Sequence, residues 1–275
     1  MADKLICATM PPKIESVVFC NPSPLQRDLY KALLLSAEIQ KAIRDNKQGG
    51  SFAIIARVIK LLNHPDLLTR QEQKVEQQPK DDDEVTDLTD LGAAAAVAVD
   101  MEFVKRHFPP GYKQESLAHS GKLQFLFELL KSAKSSSNDR FVLVSNYTTT
   151  LDLLETLCKT AKHKFLRLDG TVTSDKRQDL VHTFNRDNSD IFIFLLSSKA
   201  GGVGLNLVGA NRLVMIDPSW NPAHDLQAMA RVWRFGQTKP CHIYRLLTTG
   251  VFKSQNRYIY LLIQFLFKWF SCMCL

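Results

Sequence analysis

The chain has 275 residues, is 45% hydrophobic and carries a formal net charge of +7, enough for one large domain or two modest ones around a sizeable core. A moderately basic balance suits a nucleic-acid or phosphate partner without requiring one. The six cysteines include no C-x-x-C pair and the first thirty residues carry no charged start followed by an apolar run. The composition therefore argues against a zinc module, a disulfide framework and a secretory signal, and for reduced thiols inside a cell.

In chain order, Ile14, Val17, Val18 and Phe19 form a β-rich run that Pro22 and Pro24 end. From Leu25 to Ile43 apolar residues recur at helical spacing (Leu29, Leu33, Ala37), and a second helical run, Phe52 to Leu62, stops at Asn63-His64-Pro65. Residues 71–90 hold glutamines and the run Asp81-Asp82-Asp83-Glu84 with almost nothing apolar, the composition of a solvated, mobile acidic loop. Ala93–Ala96 open another helix, and Pro109-Pro110-Gly111 close the region. Residues 1–115 thus read as an extended segment and a mostly helical region.

After Ser116 the pattern becomes regular. Helices are expected at Gly121–Ala133, Thr149–Thr160, Ser174–Phe184 and Pro222–Trp233, and strands at Phe141–Ser145, Phe165–Leu168, Ile191–Leu196, Leu213–Ile216 and Cys241–Leu246. Strands alternating with such helices imply βαβ crossovers and a parallel sheet. The run Ile191–Leu196 has no polar alternation, as in a strand covered on both faces. The fold class is α/β, a parallel sheet flanked by helices spanning residues 116–250. Sites in such sheets lie at the carboxyl ends of the strands.

Three constellations stand at those ends. The loop Ser197-Ser198-Lys199-Ala200-Gly201-Gly202-Val203-Gly204-Leu205-Asn206 follows the most apolar strand, and its glycines allow backbone N–H groups to approach a phosphate. A tight turn is the equally weighted alternative. The helix opening at Asn221-Pro222 carries Leu226, Ala230 and Trp233 as the expected packing stripe. Gln227, Arg231 and Arg234 form a parallel stripe one residue on. Planar guanidinium groups suit the oxygens of a transferring phosphoryl group; a solvated polar face explains the same spacing. Ser145-Asn146-Tyr147 and Asp169-Gly170, the latter followed by Lys176-Arg177, offer polar groups to a nucleic-acid backbone, and neither is specific alone. The histidines show no metal or triad spacing.

Taken together, Ser197–Leu207, Asp217-Pro-Ser-Trp-Asn-Pro222 and Asp225-x-Gln-Ala-x-x-Arg-x-x-Arg-x-Gly-Gln237 resemble motifs V and VI of Swi/Snf-type superfamily-two ATPases. Leu143–Thr148 and Arg167–Thr171 resemble the motif IV region, and His242–Leu246 the strand after motif VI. Pro11–Glu15, Leu25–Tyr30 and Asn63–Pro65 are similar to the Rad-fifty-four-like, recombination-repair branch. The resemblance covers roughly residues 11–70 and 116–250.

It implies a RecA-like second lobe preceded by a helical, family-specific segment, and a partner lobe in cis that holds ATP and Mg²⁺. Arg231 and Arg234 would be arginine fingers, Gln227 would set their geometry, and Gly202 and Gly204 would shape the nucleotide-facing loop. Ser198, Lys199, Ser145 and Asn146 would touch the backbone of double-stranded DNA. A RecA-like recombinase as partner and a nuclear location are further implications. The sequence contains no Gly-x-x-x-x-Gly-Lys-Ser/Thr and no Asp-Glu-x-His, so a catalytically inactive DNA- or partner-binding fragment is the alternative function. Phe235 stands where this branch usually has aspartate, although other branches place an apolar residue there. Residues 251–275 are atypical: the eighteen mostly apolar residues from Tyr258 have the length of a marginal membrane span. Gln264 and Lys268 interrupt them, so a membrane is not expected as a partner and the tail reads as an altered gene model or splice.

Overall fold

The computed structural model describes residues 10–37, 39–41, 48–68, 102, 106–198, 204–219 and 222–249. The acidic stretch 71–90, the helix start at Ala93–Ala96 and the apolar tail 251–275 lie outside the described residues. Two compact units are present, one comprising Asn21–Leu126 and the other Met1–Cys20 with Phe127–Leu275.

In the first unit, α1 (Pro24–Leu35) starts at a capping box. Ser23 accepts the Gln26 amide N–H, and the Gln26 side chain accepts the Ser23 amide N–H. Gln26 is buried, and its Nε2 donates to the Leu61 and Leu62 carbonyls at 3.0 and 2.9 Å, occupying acceptors at the end of α2 (Gln48–Asn63). The helical spacing continues to Ile43; α1 ends at Leu35, and helix resumes at residues 37 and 39–41 after a break at Ser36. Ser36 turns extended, and its hydroxyl donates to the Leu33 carbonyl at 2.9 Å, a local bond that competes with the helix. Beyond α2, His64 and Asp66 are buried. Asp66 accepts from the Tyr112 hydroxyl and the Glu115 amide, and His64 Nε2 lies 3.0 Å from the Ser116 carbonyl. The motif Asn63-His64-Pro65 is thus a polar knot that ends a helix. The helix α3 (Gly121–Ser136) starts in this unit. A Cβ at Gly121 would stand 1.8 Å from the Asn21 carbonyl oxygen, so only glycine permits this approach.

The second unit is a six-stranded sheet, β1 (Lys13–Cys20), β2 (Phe141–Ser145), β3 (Phe165–Leu168), β4 (Ile193–Ser197), β5 (Arg212–Met215) and β6 (Cys241–Thr248), in the order β1-β6-β5-β2-β4-β3. Every pairing is parallel, as the alternation of strands with α4 (Thr148–Thr160), α5 (Ser174–Asn185) and α6 (Pro222–Val232) requires. The architecture is RecA-like α/β. All five residues of β2 and of β4 are buried, which explains their unbroken apolar runs. Phe194 and Leu196 of β4, Val142 and Val144 of β2, and Leu213 and Met215 of β5 share one core with Phe184 of α5 and Ala228, Met229 and Val232 of α6.

Two features depart from the sequence reading. The extended segment at residues 14–19 is part of an edge strand paired with β6, from Lys13↔Cys241 to Cys20↔Thr248. No local signal marks this partner, which lies more than two hundred residues away along the chain. The buried stripe of α6 is Asp225, Ala228, Met229 and Val232, whereas Leu226 is 44% exposed and Ala230 faces solvent. The inward face thus differs from the expected stripe at Leu226 and Ala230, while Trp233 packs against the core as expected and Arg231 lies inward.

Candidate functional site

In this sheet β2 lies between β4 and β5, while the chain runs β2, β3, β4 on one side and then crosses to β5 on the other. Neighbouring connections therefore part at the carboxyl ends of β2, β4 and β5, the place where open α/β sheets form their sites. Ser145 and Asn146, Ser198, and Asp217 come together there. Asp217 is buried and organises the group. Its carboxylate accepts from the Ser145 hydroxyl at 2.7 Å and the Asn146 amide at 2.9 Å, and its carbonyl accepts from Asn146 Nδ2 at 2.6 Å. Asn146 Oδ1 accepts from the Ser198 hydroxyl, and the Ser198 amide donates to the Ser145 carbonyl at 3.0 Å.

The structure thus joins three of the predicted backbone-contacting residues, with one correction. Ser145 is fully buried and its hydroxyl donates to Asp217, so it supports Asn146 from beneath and presents nothing to a ligand. Asn146 and Ser198 are half-buried at the strand ends. Lys199 and Gly202 lie outside the described residues.

The second group sits on α6. Gly204, exposed, has φ +86°, a conformation glycine adopts without strain. Its carbonyl accepts from Arg234 Nη1 at 3.3 Å. Arg234 and Gln227 are exposed, while Arg231 is 7% exposed, and burial draws its pKa below the ordinary guanidinium value. The Arg231 carbonyl also accepts the Leu207 amide at 2.8 Å. A solvated face describes Gln227 and Arg234 but not Arg231. Phe235, next to Arg234, is 76% exposed.

Residues that sequence reasoning did not single out hold these groups in place. Gln237 is buried; its Nε2 lies 2.7 Å from the Ala210 carbonyl, 3.1 Å from that of Val232 and 3.3 Å from that of Val208, and its Oε1 accepts the amides of Thr238 and Lys239. It ties the end of α6 to the loop before β5. Asp225 accepts the Ser219 amide at 2.9 Å, and its other oxygen lies 4.0 Å from Arg245 Nε. Burial pushes the Asp225 carboxyl up to about 6, with Asp217 adding to the rise and Ser219 and Arg245 opposing it. Arg245 is 3% exposed on β6 and donates to Glu15 at 2.6 Å. The available signal was phase: Arg245 alternates with Cys241 and Ile243 on a strand, so it shares their buried face.

Residues 121–236 match the family described as helicase conserved C-terminal domain. The DNA repair and recombination protein RAD54-like of Gallus gallus is 46% identical over 249 residues, covering 90% of this chain and 31% of that protein. The chain spans about a third of the length of the curated relatives it matches. The C-terminal part of the Fun30 ATPase domain superposes with a TM-score of 0.63 at 27% identity, covering 88% of this chain and 86% of that one. A Sulfolobus solfataricus SWI2/SNF2 ATPase core in complex with dsDNA shares the fold with a TM-score of 0.61 at 24% identity, over 90% of this chain and 43% of that one. With the described part of the loop after β4 and the arginine helix set on a parallel RecA-like sheet, residues 121–236 are a helicase conserved C-terminal domain, and the chain is similar over nine-tenths of its length to Rad-fifty-four-like proteins and to the C-terminal lobe of a Swi/Snf-type ATPase.

Proposed function

We propose that this chain is the second lobe of a DNA-dependent ATPase that moves along double-stranded DNA in homologous recombination and repair. The observation that carries the reading is the placement of Arg234, exposed two residues past the end of α6 with its guanidinium 3.3 Å from the carbonyl of Gly204. A planar cation beside a glycine loop at a strand end is the arrangement that stabilises charge on a transferring phosphoryl group. Arg234 takes the leading finger role, Arg231 stands behind it on the inward face, and Gln227 flanks them. Gly202 and Gly204 shape the loop toward the nucleotide.

The first lobe, in cis, holds most of the ATP and its Mg²⁺. Among the described residues no group of three or more His, Cys, Asp or Glu offers ligands to a metal, and no step here runs through the ion. Asn146 and Ser198 contact the DNA backbone, with Ser145 supporting Asn146, and the charge of Lys199 adds to the attraction. A net charge of +6 over residues 116–250, from seventeen lysines and arginines against eleven acidic residues, favours that polyanion. A RecA-like recombinase partner and a nuclear location accord with relatives described as DNA repair and recombination proteins. A non-catalytic DNA- or partner-binding module is the second reading, favoured by the lack of a phosphate-cradle sequence in these residues.

The test is substitution of Arg234 in the chain joined to the ATP-binding lobe of a Rad-fifty-four-like relative. Arg234→Lys keeps the charge and loses the fork that spans two oxygens. Turnover at saturating DNA should fall at least about tenfold, which corresponds to about 1.4 kcal/mol of transition-state stabilisation, while nucleotide affinity is retained. Near-normal turnover in both Arg234→Lys and Arg234→Ala would remove the finger assignment and leave only the fold.

A further inference from the structure

The apolar face of α6 rests on the core through Ala228, Met229 and Val232, and apolar contact is non-directional. It holds the helix against the sheet with that face inward, and directional contacts trim its rotation and slide; several of these come from β1 and β6. Arg245 Nη2 lies 3.3 Å from Met229 Sδ in the middle of the helix, and its Nε lies 4.0 Å from Asp225 near the helix start. Past the helix end, Trp233 Nε1 donates to the Pro11 carbonyl at 2.9 Å, and Lys13 Nζ sits 4.9 Å from the centre of the Trp233 ring. Glu15 joins these two arms: one carboxylate oxygen accepts from Arg245 at 2.6 Å and the other from Lys13 at 2.6 Å.

We propose that Glu15, through Arg245 and Lys13, is a positioning residue that fixes the pose of α6 and hence the aim of Arg234. The edge strand β1 lies outside the matched helicase C-terminal region, residues 121–236. The second lobe therefore takes part of the geometry of its arginine helix from a segment that precedes it by about a hundred residues in the chain. When the Glu15 carboxylate is removed, the nearly buried Arg245 still has the Asp225 carboxylate 4.0 Å away. A buried guanidinium that loses a partner moves toward the anion that remains. That motion draws on the start of α6, while the released Lys13 leaves the Trp233 ring.

The proposal is tested first on the full 275-residue chain labelled with 5-fluorotryptophan. The Trp233 resonance is assigned with Trp233→Phe and read against Trp220 and Trp269. Glu15→Gln should shift the Trp233 signal and leave the other two in place, and Glu15→Asp, which keeps the charge, should return it part of the way. Lys13→Met, at a half-exposed side chain, should shift the same signal without unfolding the chain, so the test survives if Glu15→Gln does not fold. Unshifted Trp233 signals in Lys13→Met and in folded Glu15→Gln would overturn the proposal.

The catalytic consequence rests on the reading of Arg234 as the finger and is measured separately in the chain joined to an ATP-binding lobe. There Glu15→Gln should lower kcat by about fivefold with KM for ATP unchanged, the pattern of an interaction made only in the transition state. An unchanged kcat beside a shifted Trp233 signal would overturn the aiming role whenever Arg234→Ala is inactive. If Arg234→Ala were itself normal, the finger reading would fail, and the spectroscopic result would still decide the pose.

Discussion

Asp225 shows how the fold sets the chemistry of one carboxyl group. Burial, with Asp217 adding, raises it from the ordinary 3.8 to about 6 against the opposing Ser219 amide and Arg245. The folded chain thus binds this proton more tightly than the unfolded chain does, and stability from this group increases as pH falls from about 7 toward 4. Other carboxylates pull the opposite way. Burial opposes ionisation of Asp139 and Asp169, yet hydrogen bonds from Asn211 and Arg212, and from Thr171 and Arg167, hold both below their ordinary value. Their contribution is present above about 4 and lost below it. Asp225→Asn keeps an oxygen for the Ser219 amide and removes the penalised charge. Its thermal midpoint at pH 7.5 should match or exceed the parent's by about 2–4 °C, and its stability should lose the rise between pH 7 and 5. A midpoint lower by that amount, with the pH dependence intact, would show that the ionised form stabilises the fold. Asp217, Asp225 and Gln237 all sit within the quoted motifs, but their roles were not legible. A side chain that organises backbone groups carries no spacing signal, only a polar residue beside a buried strand.

At the scale of elements, periodicity located helices and strands well and their neighbours poorly. Strands Phe141–Ser145 and Phe165–Leu168 occur as read, because their boundaries coincide with changes in apolar pattern. The expected stripe of α6 differs from the buried one at Leu226 and Ala230, which are as apolar as Ala228 and Met229, while Trp233 packs against the core as expected. The choice between the two stripes rests on contacts with Arg245, Gln237 and β1 that sequence spacing does not contain. The helix α3 depends on a single glycine. Alanine at Gly121 gains about 1 kcal/mol in helix propensity, but its Cβ would meet the Asn21 carbonyl at 1.8 Å, a backbone clash that no rotamer change relieves. Overpacking of this kind costs about 1–3 kcal/mol, and this clash lies at the upper end. Gly121→Ala should therefore lower the denaturant midpoint of the chain; an equal or higher midpoint would mean that the Asn21 backbone yields freely.

The whole molecule was readable where local patterns recur and obscure where distant segments meet. A parallel α/β sheet followed from alternating strands and helices, and the ordered motifs narrowed it to a second ATPase lobe. The place of β1 beside β6 depends on a pairing across most of the chain, and no pattern within residues 13–20 names that partner. Several of the positive charges counted from sequence are paired internally, Arg167 with Asp152, Glu155 and Asp169, Arg212 with Asp139, and Arg245 with Glu15. The chain's net charge already counts these acidic partners, so the positive side chains left for a polyanion are fewer than the seventeen lysines and arginines of residues 116–250, while the net excess is not reduced. The proposed role of this lobe is to complete an ATPase whose nucleotide is held elsewhere. Its most direct test is phosphate release with saturating duplex DNA, from the 275-residue chain alone and from the same chain joined to a Rad-fifty-four-like ATP-binding lobe. Hydrolysis should be absent from the chain alone and from the ATP-binding lobe alone, and should appear, stimulated by DNA, when the two are joined. DNA-dependent hydrolysis by the chain alone, or none from the joined and folded protein, would contradict the account.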